Sequence, residues 1–302
     1  MWPIGPAAAH GPDLVTAETF WRSWSVDPLV VAPLLLLLWG YGVGVRRLWG
    51  RAGGGQGVTY RDTASFALGV AALFVALVSP IDALGQTLLS AHMAQHGLLV
   101  VVAPPLLLLG KPGVAFAWML PARWRGGLSS RSWRSLARLA DALSRPLPAA
   151  ILHGVALWGW HAPLAFDAAV AHDGVHALEH GCFLGTALLF WRAIVAAWSS
   201  RRVGAALGTT FATLMHGGLL GALITLAPQP LYAWYRGRTE VWGLSALEDQ
   251  QLAGLLMWVP MGIIYLAVCL ALASRLVGDA PAGGSGRYRT SGRSSGLTGR
   301  AR

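Results

Sequence analysis

The sequence predicts an all-α membrane protein, a polytopic bundle of about seven transmembrane helices with its N-terminus outside and its C-terminus in the cytoplasm. Three observations carry that expectation. Hydrophobic residues make up 55% of the chain and charged residues only 12%, and the mean hydropathy of +0.52 lies far from that of an ordinary soluble domain. Apolar runs near the roughly 20 residues that a bilayer-spanning helix needs recur along the chain. The basic residues fall on alternate loops, as the positive-inside rule requires of cytoplasmic ones.

Taken in order, residues 1–27 precede the first apolar run and lack the basic start of a secretory signal, so they read as a mature external segment. Spans are expected at about 28–45, 63–80, 88–109, 148–169, 174–197, 203–226 and 249–273. The third ends near Pro104 and Pro105, which end or kink its helix or merely adapt its packing. Between the third and fourth, "ARWRGGLSSRSWRSLARLADALSRP" sets Trp124, Leu128, Trp133, Leu136, Leu139 and Leu143 among arginines, the pattern of a basic amphipathic helix lying on the inner face. Residues 28–275 form the membrane domain, and 276–302, rich in Gly, Ser and Arg, form a disordered basic cytoplasmic tail. Tryptophans such as Trp21, Trp39, Trp198 and Trp242 stand near span ends, as interfacial anchors do.

With seven spans, the loops 46–62, 110–147 and 198–202, the adjoining helix ends and the tail from 274 hold 20 of the 23 basic residues. The other side keeps Arg22, Arg236 and Arg238, with 10 of the 13 acidic residues. The net charge of +10 is therefore explained by topology and by contact with anionic membrane lipids, and no nucleic-acid partner is expected. Cys182 and Cys269 both fall inside spans without a C-x-x-C, which excludes a disulfide framework. Cys182 follows His180 by two residues and reads as a small buried hydrophobe, with copper(I) ligation as the alternative.

The histidines carry the chemistry. In "AHMAQHGLLVVVAPPLLLLGKP", His92 and His96 are four residues apart on a helix descending from outside. "AHDGVHALEHGCF" puts His172 in an external turn and His176 and His180 on one helical stripe, with Glu179 beside them. His161, in "WGWHAPLAFD", reaches roughly 12 Å below the outer end of the fourth span, and His216, in "TLMHGGLLG", reaches the outer half of the sixth. Only His10 and His153 stand apart. Imidazoles at i and i+4 lie about 6 Å apart on one face, close enough to share an ion. Asp167, Asp173 and Asp249 are candidates to orient the rings or balance charge, and Met215 and Met257 add soft thioethers of the kind that hold copper(I). The candidate metal residues are thus His92, His96, His161, His176, His180, His216, Glu179, Asp249 and Met257, with copper or zinc as the ion.

"HALEH" also fits the H-x-x-E-H pattern of inverted zinc peptidases, so a membrane-embedded zinc metallopeptidase, with Glu179 activating water, stays open. A bis-histidine haem site is the other alternative.

The blocks "HMAQHGLLVVVAPPLLLLGKP", "WHAPLAFDAAVAHDGVHALEHGCFLGTALLFW", "PLYAWY" and "LEDQQLAGLLMWVPMGIIY" resemble, in order, the signature blocks of the CtaG family of bacterial cytochrome c oxidase assembly factors, over about residues 60–275. The resemblance implies a multi-pass protein of the bacterial plasma membrane that helps build a caa-type haem-copper oxidase at a copper-handling step and is not an enzyme. Its partners would be cytochrome c oxidase subunits and an external copper donor protein. The blocks cover His92, His96, His161, His176, Glu179, His180, Asp249 and Met257, whereas His216 lies between blocks and rests on depth alone.

Overall fold

Asp27 starts the first membrane helix. In the computed structural model, which describes residues 14–125, 131–198, 200 and 202–278, its Oδ1 accepts the Leu29 N–H at 2.8 Å, and Pro28 supplies the preset φ of a first helical residue. Helix α1 (Pro28–Ala52) ends at Gly53, whose φ of 96° suits glycine. A reciprocal capping box between Thr59 and Asp62 opens α2 (Tyr60–Leu77), and Ser79 caps the short α3 (Pro80–Gly85). Among the described residues every regular element is helical, as the all-α class expected requires. Residues 1–13, including His10, and 279–302, most of the expected tail, lie outside the described residues.

The third span consists of α4 (Leu89–Gly97), a π-helical turn (Leu98–Val102) and α5 (Ala103–Leu109). Pro104 has no N–H to give the carbonyl four residues back, and Val100 O instead accepts Trp191 Nε1 at 2.8 Å. The proline pair thus produces a change of helical register above it. Next, α6 (Pro112–Met119) packs on α1 so closely that a Cβ on Gly44 would lie 1.9 Å from Ala115 O. After α7 (Ala122–Arg125) comes α8 (Arg131–Leu143), with Leu136 and Leu139 exposed and its end held by Arg192, which pairs with Asp141 and donates to Ser144 Oγ at 3.0 Å.

The expected fourth span is not one helix. It divides into α9 (Pro146–Trp160) and α10 (Pro163–Ala171), because Pro163 drives Ala162 to an extended ψ of 131°. Three long helices complete the fold: α11 (Asp173–Ala197), α12 (Val203–Leu226) and α13 (Ala246–Gly278). Among the described residues six helices, counting Leu89–Leu109 as one, are long and apolar enough to cross a membrane, and the 15-residue α9 carries the chain between the same two ends. Small residues let α12 and α13 meet backbone to backbone, with a Cβ on Gly254 only 2.7 Å from Gly221 O.

Side-chain contacts sort the connections into two ends. At one, Val15 N–H donates to Thr87 Oγ1 (3.0 Å), Trp242 Nε1 to Val15 O (2.7 Å) and Trp234 Nε1 to Gln86 O (3.0 Å), while Asp167 accepts from the N–H groups of Ala233 and Trp234. At the other, Lys111 pairs with Asp62 at 2.8 Å, Arg47 reaches Met119 O and Arg275 reaches Trp198 O. One apolar core joins α1, α2, α5 and α6; the second joins α4 and α9 to α13. The histidines lie in the second.

Candidate metal centre

Helix periodicity delivers the donors. On α4, His92 and His96 are one turn apart, and on α11 the run from His176 to His180 turns the same way, so the two pairs face each other across a helix contact. The ligand atoms of His92, His96, Glu179 and His180 all lie within 4.8 Å of one another. All four residues are buried, His92 and Glu179 completely. Glu179 Oε2 is 3.6 Å from His92 Nε2, and Oε1 is 3.7 Å from His96 Nε2. His161, at the end of α9, stands with its ring centroid 5.7 Å from that of His96, and His176 lies 5.2 Å from His92 and 4.0 Å from His180. Five of the six expected histidines therefore meet.

The tautomers follow from partners that only accept. Tyr235 gives its one hydroxyl proton to Gly85 O at 2.8 Å, so its oxygen accepts from His92 Nδ1 at 3.4 Å and leaves His92 Nε2 as a lone pair. His96 Nε2 then donates to His92 Nε2 at 2.8 Å, and the buried His96 Nδ1 has no hydrogen-bond partner. His161 Nδ1 donates to Leu157 O at 2.7 Å, which turns its Nε2, also buried and unpartnered, into a second waiting lone pair. His180 Nε2 and both Glu179 oxygens are buried without a hydrogen bond as well. Buried polar atoms are nearly always paired. A concentration of unpaired acceptors on nitrogen and carboxylate oxygen fits a transition-metal ion, whose ligation would satisfy them together.

Three expected members stand elsewhere. Asp249 accepts from Leu89 N–H (2.6 Å), Ser90 N–H (3.2 Å) and Ser90 Oγ (2.5 Å), capping α4 from α13, where α4's own N-cap residue, Leu88, has no polar side chain. His216 accepts from Trp158 Nε1 at 3.3 Å and would touch a Cβ placed on Gly154, beside α9 and away from the cluster. Met257 is buried in a small apolar void between α9, α12 and α13 that His153 and Met261 also line. Met215 is half exposed on the bundle surface, Cys182 is not among the clustered ligands, and Asp167 spends its oxygens on the loop before α13, with no imidazole partner.

Sequence reasoning missed the supports. Tyr235 fixes His92, Tyr232 Oη donates to His161 O at 3.1 Å, and Gln95 Nε2 donates to Asp82 Oδ1 and Ala76 O, both at 2.7 Å. Burial pushes both loop tyrosines above their ordinary range, so they stay neutral donors. Phe166 and Phe183 pack on the rings, 4.9 Å from His92 and 4.6 Å from His96 between centroids. "PLYAWY" contained the signal for both tyrosines, but an aromatic loop carries no ligand chemistry of its own.

The sequence model of the cytochrome c oxidase caa3 assembly factor family (Caa3_CtaG) matches residues 39–279, which include the whole cluster. The chain belongs to that family. It is similar to uncharacterized proteins of Mycobacterium bovis and Mycobacterium tuberculosis, each 27% identical, and of Mycobacterium leprae, 28% identical. Each alignment covers 90% of this chain and 42% of the relative, so the chain spans under half the length of these relatives. No solved structure matches. The matched residues contain or overlap every helix found, among the described residues, to be long and apolar enough to cross a membrane.

Proposed function

We propose that the protein binds copper in the His92, His96, Glu179 and His180 cluster, on the external side of the bacterial plasma membrane, and passes it to a cytochrome c oxidase subunit. The reading needs no catalysis. What carries it is the convergence of four buried residues whose ligand atoms lie within 4.8 Å of one another, with His96 Nδ1, His180 Nε2 and both Glu179 oxygens lacking a hydrogen-bond partner. The external assignment, with the C-terminus cytoplasmic, rests on the arginine-rich opposite end. His161 and His176 stand close enough to exchange places with a cluster ligand as the ion is handed on. Partners in this reading are oxidase subunits, an external copper donor and membrane lipids.

The test is elemental. Wild-type protein and His96→Ala, His180→Ala and His10→Ala variants are purified in detergent, checked for folding, loaded and assayed for copper and zinc. Copper is expected in wild type and His10→Ala and lost from the cluster variants. Full occupancy in both cluster variants, or none in any form, overturns the reading. Deleting the gene from its host is expected to lower copper-oxidase activity while the oxidase polypeptides are still made.

A zinc peptidase is the second reading, kept because Glu179 of H-x-x-E-H lies inside the cluster. Glu179→Gln separates the two. Hydrolysis requires the carboxylate as general base, whereas a copper carrier retains weakened binding and partial oxidase assembly.

A further inference from the structure

A cleft of about 600 Å³ opens at the end of the bundle that carries the N-terminal segment, and it reaches His176 and His180. One wall is the strap 23–26, pinned where Ser25 N–H donates to Val78 O at 3.0 Å and Ser25 Oγ to Asp82 Oδ2 at 2.6 Å. The remaining polar lining includes Asp27, Asp82 and Asp173, and none of the described lining residues is Lys or Arg. Acidic residues alone would mean little on an exposed face. Here the cleft ends on His180, a cluster residue 8% exposed whose Nε2 has no hydrogen-bond partner.

We propose that this cleft is the loading path of the cluster. Asp27, Asp82 and Asp173 concentrate small cations at its mouth, His176 is the first imidazole met, and His180 passes the ion to the His92, His96 and Glu179 side. The acids steer, as same-sign residues around a low-dielectric cleft raise cation arrival by 10-fold or more. Asp82 has a second duty: its two oxygens join Ser25 of the strap to Gln95 of α4, the neighbour of His96, so the mouth and the cluster share one wall. The inference rests on the metal-binding reading above.

The experiment separates the two. In full-length protein carrying Cys182→Ala and Cys269→Ala, uptake and release of Ag(I), a redox-stable stand-in for copper(I), are timed in chloride-free buffer, alongside equilibrium occupancy. Ala83→Trp fills the cleft from α3 without touching the cluster. It is expected to slow uptake and release by the same factor, at least about tenfold, with occupancy unchanged, as a blocked path must. Asp173→Lys is expected to slow uptake about tenfold at low salt, with the difference shrinking as salt rises. Unchanged rates in both variants, or lost equilibrium occupancy in a folded Ala83→Trp protein, overturn the path. Absence of Ag(I) from the unsubstituted cleft as well refutes the cluster itself.

Discussion

Replacing Asp249 tests whether it is a ligand or a cap. Its carboxylate is fully buried and receives two backbone N–H groups and one hydroxyl from the start of α4. Asp249→Ala strands both N–H groups at the buried start of α4, at about 1 to 3 kcal/mol each, while the Ser90 hydroxyl can turn to another carbonyl. The expected loss is roughly 2 to 6 kcal/mol, with the charge-assisted bonds toward the upper end. At about 2 to 4 °C per kcal/mol for a chain of this size, the midpoint of thermal unfolding in detergent drops by roughly 4 to 24 °C. Asp249→Asn keeps one acceptor and is expected to lose about half as much. Metal content of the folded Asn variant decides the role: a cap leaves copper at the wild-type ratio. Wild-type thermal stability together with lost copper would refute the capping argument and return Asp249 to the ligand set.

Tyr235→Phe removes the acceptor that fixes His92, and copper affinity, measured by chelator competition, is expected to fall about 10 to 100-fold with the protein still folded. Because burial raises the Tyr235 pKa, its hydroxyl contributes fully below the unfolded value of about 10 and loses that contribution as pH rises beyond it; alkaline unfolding of wild type and Tyr235→Phe should therefore converge at high pH. His216→Ala should leave copper stoichiometry unchanged, since its contacts are Trp158 and α9; a loss measured by elemental analysis would restore it to the site. Gly254→Leu, which drives a side chain into Gly221 O, should cost more thermal stability than Gly50→Leu, where nothing lies within 4 Å. Equal midpoints would mean that α12 and α13 do not depend on that contact.

Periodicity and hydropathy carry far along this chain because lipid allows few solutions: a long apolar run must be helical, and four-residue spacing puts His92 over His96 and His176 over His180. The cluster was legible for that reason. His216 was not separable from it, since depth along a helix is readable from residue number but azimuth around the bundle depends on which neighbours pack. Asp249 shows the same limit in another form. A buried carboxylate near histidines looks like a ligand until α4 is known to begin beside it with no cap of its own. The break at Ala162 was written in Pro163, yet the apolar residues on both sides concealed it within a run of spanning length.

Electrical neutrality adds a final consequence of the donor set. In the proposed copper reading His92, His96 and His180 would be neutral ligands, and Glu179, as a carboxylate, would bring the one formal charge among the four. A monovalent ion held there sums to zero, while a divalent ion leaves one positive unit among Phe166, Phe183 and the apolar core. Uncompensated charge in such surroundings costs several kcal/mol. On that reading the donor set favours reduced copper, and zinc would have to bring a second anion with it.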